Sequence, residues 1–513
     1  MEVKISLIIA LTLIILLLLY MWKALDRLWL KPKKLEKLLR LQGLKGNPYR
    51  LFYGDTIDMA TMAKEASSTS LNVTDDILPF VLPFHHHIMK KHGKNCFSWS
   101  GPLPRINIMD PELINEILLK NNTFRKPEQS PVHKLLNTGL VTYEDEKWTK
   151  HRKIMNPAFY AEKLKQMLPH IYTSCREIIN KWEELIPKGG SSEVDVSPYL
   201  RNLTSDVISR VAFGSCYEEG RRIFELQQEQ SQLVYVAMQS LIPGWRFLPN
   251  KTNKRMKEIY NEIDSLVLGI IENKMKAMNV VEEEGDGDLL AMLLRANLEE
   301  IEEHDAGMSI KEVIEECKLF YFAGQETTAN LLTWAVVLLS QHPNWQERAR
   351  EEVQKVLGER KPDYEGLNRL KVVTMILNEV LRLYPPSIML MRIVHEETKL
   401  GEMTLPGGVR VIVPTIFVHR DEEVWGEDAK EFKPERFSEG IAKAMKKQVC
   451  FFPFGGGPRI CIGNNMAMFE AKVALAMILQ HFKFELSPYY NHAPGFVVTL
   501  RPQKGAHLIL HRI

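Results

Sequence analysis

Cys461 lies in a sequence context that none of the other five cysteines shares. It closes the stretch FGGGPRIC, residues 454–461, and a helical pattern over Asn464 to Gln480 follows. Three glycines allow a loop whose backbone amides can point at one atom. A sulfur just before a helix feels the positive end of the helix dipole, which favours the thiolate over the thiol. Because Ile460 and Ile462 would keep water away, the pattern predicts a shielded thiolate.

A shielded thiolate suits an axial ligand of haem iron, because its electron donation favours cleavage of the O–O bond. Two other interpretations remain open from these residues alone. A buried structural cysteine can occupy a glycine-rich turn, and such a loop can bind phosphate, although no Gly-Lys-Ser/Thr follows here. The remaining cysteines lack C-x-x-C spacing, and we expect them to be buried rather than paired in disulfides: Cys96, Cys175, Cys216, Cys317 and Cys450.

A long helix is predicted in the middle of the chain. Ser309 and Glu312 form an S-x-x-E capping box ahead of an apolar run that ends at Gln341. The run of roughly 30 residues would be about 45 Å long, and it is apolar on nearly every face, so we expect it to cross the core. The segment AGQETT, residues 323–328, interrupts it with a glycine that costs about 1 kcal/mol and with polar residues. This local inconsistency predicts a functional site.

Four motifs together resemble those of the cytochrome P-450 superfamily. They stand in the family's order and separations, and the similarity runs from the N-terminal apolar segment to Ile513. The resemblance implies a mainly α fold with small β-sheets, one haem b and monooxygenase activity. The matching residues are Phe454-x-x-Gly457-x-Arg459-x-Cys461-x-Gly463, Ala323-Gly324-x-Glu326-Thr327, Glu379-x-x-Arg382 and Pro434-Glu435-Arg436-Phe437.

The resemblance also implies roles for single residues. Cys461 would ligate the iron, and the central helix would cross the opposite face of the haem. Thr327 would donate a hydrogen bond to iron-bound dioxygen and steady the water that delivers protons. Glu326 would belong to the proton route, since an acid beside a hydroxyl can relay protons. Alternatively, Thr327 only bonds back to a helix carbonyl. The residues matching the family's cofactor contacts, above all its propionate partners, are Trp148, Arg152, Arg392, Phe454 and Arg459.

Glu379 and Arg382 lie at i and i+3, on one face of a segment that is apolar nearly all round. A buried ion pair must be fully hydrogen-bonded, and loss of one partner typically costs about 3–5 kcal/mol. Arg436 is expected to be the third member. We interpret this triad as structural support for the haem pocket rather than as catalytic.

Within the superfamily, the chain resembles a plant clan that acts on terpenoid-derived substrates of iridoid, triterpenoid, steroid or gibberellin type. We expect hydroxylation of an unactivated C–H bond, with oxidative cleavage of an iridoid ring as an alternative. A haem-thiolate isomerase or dehydratase would use the same sulfur without external electrons, and a haem sensor would need no oxygen-activation residues. Family analogy places these residues in the substrate pocket: His133, Leu319, Ala323, Met389 and Phe496. His133 is equally open to interpretation as an ordinary loop residue.

No G-x-G-x-x-G fingerprint follows a strand, so we expect NADPH and flavin to bind elsewhere, on a separate flavoprotein reductase. Lysines on two segments form a candidate docking face for an acidic reductase, with plain solvation as the alternative: Lys147, Lys150, Lys153, Lys443, Lys446 and Lys447. The net charge of +2 predicts no nucleic-acid partner.

The first residues predict a membrane anchor. Ile5 to Trp22 is almost wholly Leu and Ile, and about 20 apolar residues span a bilayer. A cleaved signal peptide is the alternative. Basic residues from Lys23 to Arg40 outnumber those before the segment, so the positive-inside rule places the rest of the chain in the cytosol. We therefore expect a single-pass protein of the endoplasmic reticulum, in contact with lipid, with an anchor at 1–22, a basic hinge at 23–50 and a haem-thiolate catalytic domain at 51–513.

Overall fold

The computed structural model describes residues 2–67, 71–136, 138–215, 217–239, 250–280, 287–304, 306–446 and 448–513. The chain divides into two compact units, each assembled from separate stretches of sequence. The first comprises Met1–Ser68, Leu78–Pro127 and Leu390–Pro414. The second comprises Thr69–Ile77, Glu128–Met389 and Thr415–Ile513.

The first unit combines short helices with most of the β-structure. Its helices are α1 (Glu2–Leu25), α2 (Lys31–Leu41), α3 (Thr56–Ser67), α4 (Leu78–Val81), α5 (Pro83–His92) and α6 (Pro111–Leu119). Its strands are β1 (Lys45–Gly46), β2 (Cys96–Ser100), β3 (Leu103–Asn107), β4 (Phe124–Arg125), β6 (Leu390–Val394), β7 (Thr398–Leu400), β8 (Met403–Leu405) and β9 (Arg410–Val413). Six of them form one sheet in the order β1-β2-β3-β9-β6-β4, and β7 pairs with β8.

The N-terminal helix α1 is apolar and exposed. Within the described residues, one helical stretch, Lys4–Leu41, is long and apolar enough to cross a membrane. No residue in the most apolar part of this stretch is buried. The predicted apolar N-terminal segment that could span a membrane is thereby confirmed. The basic segment after it is helical as well, because a π-helical turn, Asp26–Leu30, leads directly into α2.

The second unit is mainly helical. Its helices are α7 (Pro131–Lys134), α8 (Asp145–Met155), α9 (Ala161–Leu185), α10 (Val196–Phe213), α11 (Tyr217–Gln239), α12 (Lys251–Val280), α13 (Leu289–His304), α14 (Ile310–Gln341), α15 (Pro343–Val356), α16 (Tyr364–Arg369), α17 (Lys371–Leu383), α18 (Thr415–Val418), α19 (Glu422–Trp425), α20 (Ile441–Ala444) and α21 (Asn464–His481). Its strands form two small sheets, β10-β13-β5 and β11-β12: β5 (Ser191–Asp195), β10 (Phe482–Leu486), β11 (Pro494–Phe496), β12 (Leu500–Pro502) and β13 (His507–Arg512).

The predicted central helix is α14, and the predicted capping box begins it. The Ser309 side chain accepts from the Glu312 amide, and the Glu312 carboxylate accepts from the Ser309 amide. The residues from Ala329 to Leu339 are buried, so this half of α14 lies inside the core of the second unit. The mainly α fold with small sheets is as expected.

Gly324 has a packing role that the sequence alone did not indicate. A Cβ atom at this position would lie 2.7 Å from both Cγ1 and Cδ1 of Ile208 on α10. The missing side chain therefore lets α10 approach α14 closely. Two hydrogen bonds join the same helices, from Gln325 Nε2 to Ser205 Oγ (2.6 Å) and from Thr204 Oγ1 to the Gln325 carbonyl (3.0 Å).

Candidate active site

The loop that carries Cys461 is closed by its own backbone. The Cys461 amide donates to the Phe454 carbonyl at 2.9 Å, and the Ile460 amide donates to the Gly457 carbonyl at 3.1 Å. Gly455 and Gly457 have φ values of +75° and +62°, a region that residues with side chains rarely adopt. Two of the three glycines are thus required by the turn itself, and α21 begins three residues after Cys461.

Cys461 also differs from the other described cysteines in exposure. Cys96, Cys175, Cys317 and Cys450 are buried, as expected, whereas Cys461 is exposed. Burial raises the pKa of the buried thiols, that of Cys450 to about 11, and so keeps them protonated. Cys216 lies outside the described residues. The interpretation of Cys461 as a buried structural cysteine is therefore wrong, and this thiol is accessible to a ligand.

Two arginines lie beside the Cys461 loop. Arg152 on α8 donates from Nη1 to the Ile460 carbonyl at 2.8 Å. Arg459 donates from Nη2 to the Tyr143 carbonyl at 2.6 Å and pairs with the Glu144 carboxylate, and its guanidinium lies 4.3 Å from the centre of the Trp148 ring. The structure thus brings Trp148, Arg152 and Arg459 together, as the resemblance implied.

These residues fit a group that carries two carboxylates. Arg459 Nη1 is buried and has no hydrogen-bond partner in the described part of the chain. A buried guanidinium N–H without a partner is costly, and a carboxylate oxygen is its best acceptor. Burial lowers the pKa of Arg459 to about 10, so the side chain stays cationic near neutral pH. The donor set, a thiol flanked by two guanidiniums, suits haem with its two propionates.

Arg392 belongs to the first unit. It lies in β6 and is buried, and its guanidinium donates to the adjacent Met391 carbonyl at 2.9 Å. Burial lowers its pKa to about 10. Because this hydrogen bond is to a neighbouring residue, the guanidinium has further N–H groups to offer, but the role of Arg392 as a propionate partner stays a prediction.

The middle of α14 exposes a short face in a helix that is otherwise largely buried. Ala323 is exposed, and Thr327, one turn later, is partly so. Thr327 Oγ1 donates to the Ala323 carbonyl at 2.8 Å, the back-bonded geometry that was the alternative to a catalytic role. Its oxygen keeps lone pairs for accepting a hydrogen bond.

Glu326 is not bonded to Thr327. Its Oε1 accepts from Thr499 Oγ1 at 2.9 Å and lies 3.6 Å from Arg501 Nη1. Thr499 in turn accepts from Asn330 Nδ2 at 2.9 Å. Nothing local in the sequence indicated Thr499 or Arg501, because both lie about a third of the chain further along the sequence than Glu326. Sequence reasoning missed both residues.

The Glu379–Arg382 ion pair is fully buried and bidentate. Arg382 Nε and Nη2 donate to the two carboxylate oxygens of Glu379 at 2.8 and 2.7 Å, and neither side chain is exposed. The remaining Arg382 donors reach the carbonyls of His419, Ala429 and Glu431. Such a pair can be stable because every donor is used.

Arg436 joins this pair by charge rather than by a hydrogen bond. Its Nε lies 3.5 Å from Glu379 Oε1 but lacks hydrogen-bond geometry, whereas its Nη1 lies 2.6 Å from Asp428 Oδ1. The Lys433 amide donates to Glu379 at 2.8 Å. The arrangement holds the segment from Trp425 to Phe437 against α17.

His151 belongs to a buried pair that joins two helices. It is completely buried on α8, and its Nδ1 lies 2.6 Å from Glu316 Oε1 on α14. The Leu140 amide donates to the other Glu316 oxygen at 3.0 Å. This pair ties α8, which carries Trp148 and Arg152, to the central helix.

Three lysines of the candidate reductase face are engaged within the chain. Lys147 pairs with Glu312 at 2.8 Å, Lys150 donates to the Gly307 carbonyl at 3.0 Å, and Lys153 pairs with Glu300 at 2.7 Å. Lys443 pairs with Glu439, and Lys447 lies outside the described residues. The α8 lysines therefore serve contacts of the fold.

The chain around two of the predicted pocket residues, His133 and Leu319, contributes to one apolar cluster. Leu136 packs with Val234 of α11 and Met256 of α12, and partly buried residues cover them: Val132, Leu135, Phe322 and Val498. Leu319 is buried on α14, and Met389 and Phe496 are partly buried. His133 Nδ1 lies 2.7 Å from the Ser130 hydroxyl, which caps α7.

A mainly helical fold with an accessible cysteine in a glycine loop, flanked by two arginines, defines the haem-thiolate class of enzyme. The family model described as Cytochrome P450 matches residues 81–508, and the chain belongs to that family. It is therefore a cytochrome P450 monooxygenase that carries haem b.

Plant relatives match the chain over its whole length. It is 55% identical to cytochrome P450 CYP72A219 of Panax ginseng, with both chains fully covered. It is 51% identical to 7-deoxyloganic acid hydroxylase of Catharanthus roseus, again with full coverage of both. Secologanin synthase 2 of the same plant is 50% identical over 98% of this chain and 97% of its own. The expected resemblance to a plant clan of terpenoid-oxidising enzymes is confirmed.

Proposed function

We propose that this P450 hydroxylates an unactivated C–H bond of a terpenoid-derived substrate of iridoid, triterpenoid, steroid or gibberellin type, using O2 and electrons from NADPH. Two relatives matched over nearly the whole chain are named for secologanin and for 7-deoxyloganic acid, which supports an oxygenated terpenoid. The apolar cluster around Leu136, Val234 and Phe322 suits a hydrocarbon skeleton.

The observation that carries the proposal is the accessible Cys461 thiol in its closed glycine loop. Cys461 would ligate the iron, with Phe454 closing the loop, and Trp148, Arg152, Arg459 and Arg392 would hold the propionates. Bound haem supplies the activation of dioxygen. Glu379, Arg382 and Arg436 support this site structurally and take no part in proton transfer.

Thr327 and Glu326 would handle protons. Thr327 Oγ1 already donates to the Ala323 carbonyl, so it can accept a hydrogen bond from a proton-carrying water. The Glu326 carboxylate, held by Thr499 and placed near Arg501, would supply the proton from the adjacent face of α14 rather than pass it directly to Thr327.

Electrons would come from a separate NADPH-dependent flavoprotein reductase. The lysines on α8 are occupied by ion pairs and a carbonyl, and Lys443 pairs with Glu439, so docking would depend on the exposed Lys446. Residues 1–22 would anchor the protein in the endoplasmic reticulum membrane and contact its lipid, residues 23–50 would form a basic hinge, and residues 51–513 would be the cytosolic catalytic domain.

Ring cleavage of an iridoid is the second candidate, because both secologanin synthases of Catharanthus roseus are 50% identical to the chain. A haem-thiolate isomerase or dehydratase is the third candidate, and it would need no electrons from NADPH. Membranes containing the protein should be incubated with iridoid, triterpenoid, steroid and gibberellin substrates, with and without NADPH and reductase.

We expect one substrate group to give a type I spectral shift and a hydroxylated product that requires both NADPH and reductase. A ring-opened product with the same requirements would replace hydroxylation by cleavage. Product formed equally well without NADPH would contradict the monooxygenase proposal and favour the isomerase.

A further inference from the structure

A narrow, partly open cavity borders α14 on the side of Glu326. Arg201 of α10, Gln227 of α11, and Phe322 and Glu326 of α14 line it, together with Arg501 of β12. Phe322 and Glu326 are one turn apart, on a face adjacent to that of Ala323 and Thr327. A group held in this cavity would therefore lie next to the exposed middle of α14.

The lining is unbalanced in charge. Among the described residues that line the cavity, two guanidiniums, Arg201 and Arg501, face one carboxylate, Glu326. Arg501 lies 3.6 Å from Glu326 Oε1, too far for a hydrogen bond, and that oxygen already accepts from Thr499. In the described part of the chain, the Arg201 guanidinium makes no hydrogen bond or ion pair. One negative charge would balance the lining.

A buried acceptor lies in the same wall. Gln227 is only 2% exposed, and its Nε2 donates to the Lys318 carbonyl at 2.9 Å. Its Oε1 is buried and has no hydrogen-bond partner among the described residues. A buried acceptor of this kind needs a donor, which an ordered water can supply and a carboxylate cannot. A water that donates to Gln227 could donate its second hydrogen to an anion in the cavity.

We propose that this cavity is an anion subsite, in which Arg201 and Arg501 bind a carboxylate carried by the substrate. The guanidinium fork matches carboxylate geometry. The apolar cluster that contains Phe322 and Val498 adjoins the subsite and would contact the hydrocarbon part of the same molecule. This inference rests on the proposed terpenoid monooxygenase function and narrows it to acidic substrates.

The first test compares carboxylic acids with their methyl esters. Membranes with reductase and NADPH receive acid–ester pairs of iridoid, gibberellin and triterpenoid type, and conversion and type I dissociation constants are measured. We expect the acid to be preferred, and R201Q and R501Q to weaken its binding about tenfold, the loss of one charge-assisted bond, with little change for the ester. R201K should retain part of the preference. R221Q serves as the matched control, because Arg221 lies on the exposed side of α11 and its ion pairs in the described part of the chain are with Glu218 and Glu225.

The second test does not depend on the substrate. Trifluoroacetate, with trifluoroethanol as the neutral control, is titrated into the purified holoprotein and its 19F line width is followed. We expect broadening that R201Q and R501Q reduce and R221Q leaves unchanged. Equal broadening in all four proteins, or an acid preference unaffected by R201Q, would overturn the subsite and leave the cavity to water alone. Conversion of esters only, with NADPH dependence intact, would remove the subsite while sustaining the monooxygenase proposal.

Discussion

At the scale of single residues, the chemistry depends on which polar groups are accessible or, among the described residues, keep an unused hydrogen-bonding atom. Cys461 is exposed while the other described cysteines are buried, and Arg459 keeps one buried N–H unused. The sequence pattern predicted the cysteine because its loop and helix are local. It did not predict that Glu326 would bond to Thr499, because that contact joins parts of the chain far apart in sequence.

Replacing Arg459 should weaken haem binding. R459Q removes the cationic donor whose Nη1 is available for a propionate, and each bond to a charged group is worth about 1.5–3 kcal/mol. We expect haem to be lost about tenfold or more faster to an apo-myoglobin acceptor. R221Q should lose haem at the wild-type rate, and an unchanged rate in R459Q would exclude Arg459 as a propionate partner.

Replacing Thr327 should separate oxygen consumption from product formation. T327A removes the hydroxyl that would accept the proton-carrying water, whereas T327S keeps it. We expect T327A to consume NADPH with a much smaller yield of hydroxylated product and T327S to stay near wild type. Full coupling in T327A would show that Thr327 only bonds back to the Ala323 carbonyl.

At the scale of elements, close helix packing and buried ion pairs hold the site in place. The bounds of α14 and α21 follow from local signals, the capping box of α14 and the helical periodicity of both, so the sequence predicted them well. The sequence did not predict contacts between residues that are far apart in the chain. Gly324 was interpreted as a functional signal, but it also permits contact with Ile208 on α10. His151 carries no sequence sign of its buried Glu316 partner.

Gly324→Ala should destabilise the protein although alanine favours helices. The gain of about 1 kcal/mol from propensity is opposed by overpacking of about 1–3 kcal/mol against Ile208. Gly269→Ala is the matched control, because it lies in α12 with nothing within 4 Å of the added Cβ, and it should be stabilising. Urea unfolding midpoints measure both. Equal stabilisation by the two substitutions would contradict the proposed close contact.

Glu379→Ala should yield no folded haem protein. It leaves the Arg382 guanidinium buried without its counter-ion, which costs about 3–5 kcal/mol. Glu347→Ala removes the same i, i+3 partner from Arg350 at an exposed position and should cost at most about 1 kcal/mol. The carbonyl-difference spectrum of each expressed variant reports the outcome, and a normal spectrum for E379A would refute the structural role.

At the scale of the whole molecule, two units are each assembled from separated parts of the chain. In the first unit, β3 pairs with β9, which joins sequence near residue 105 to sequence near residue 410. Nothing local in either segment indicates that the two strands pair, because they are far apart in sequence.

Removing residues 2–22 should release the protein from integral membrane association. The exposed apolar face of α1 would be lost, while the basic α2 that follows can still bind an anionic surface. We expect the shortened protein to be extracted by high salt and the full chain to resist it. A shortened protein that still requires detergent would place the anchor elsewhere.

Thiolate ligation by Cys461 is tested most directly by the carbonyl-difference spectrum of the reduced full-length protein in membranes. Cys461→Ser is compared with Cys450→Ser, which changes a buried cysteine eleven positions earlier. We predict that C450S keeps the red-shifted Soret band of a thiolate-ligated haem and that C461S loses it. A red-shifted band retained in C461S would contradict the account.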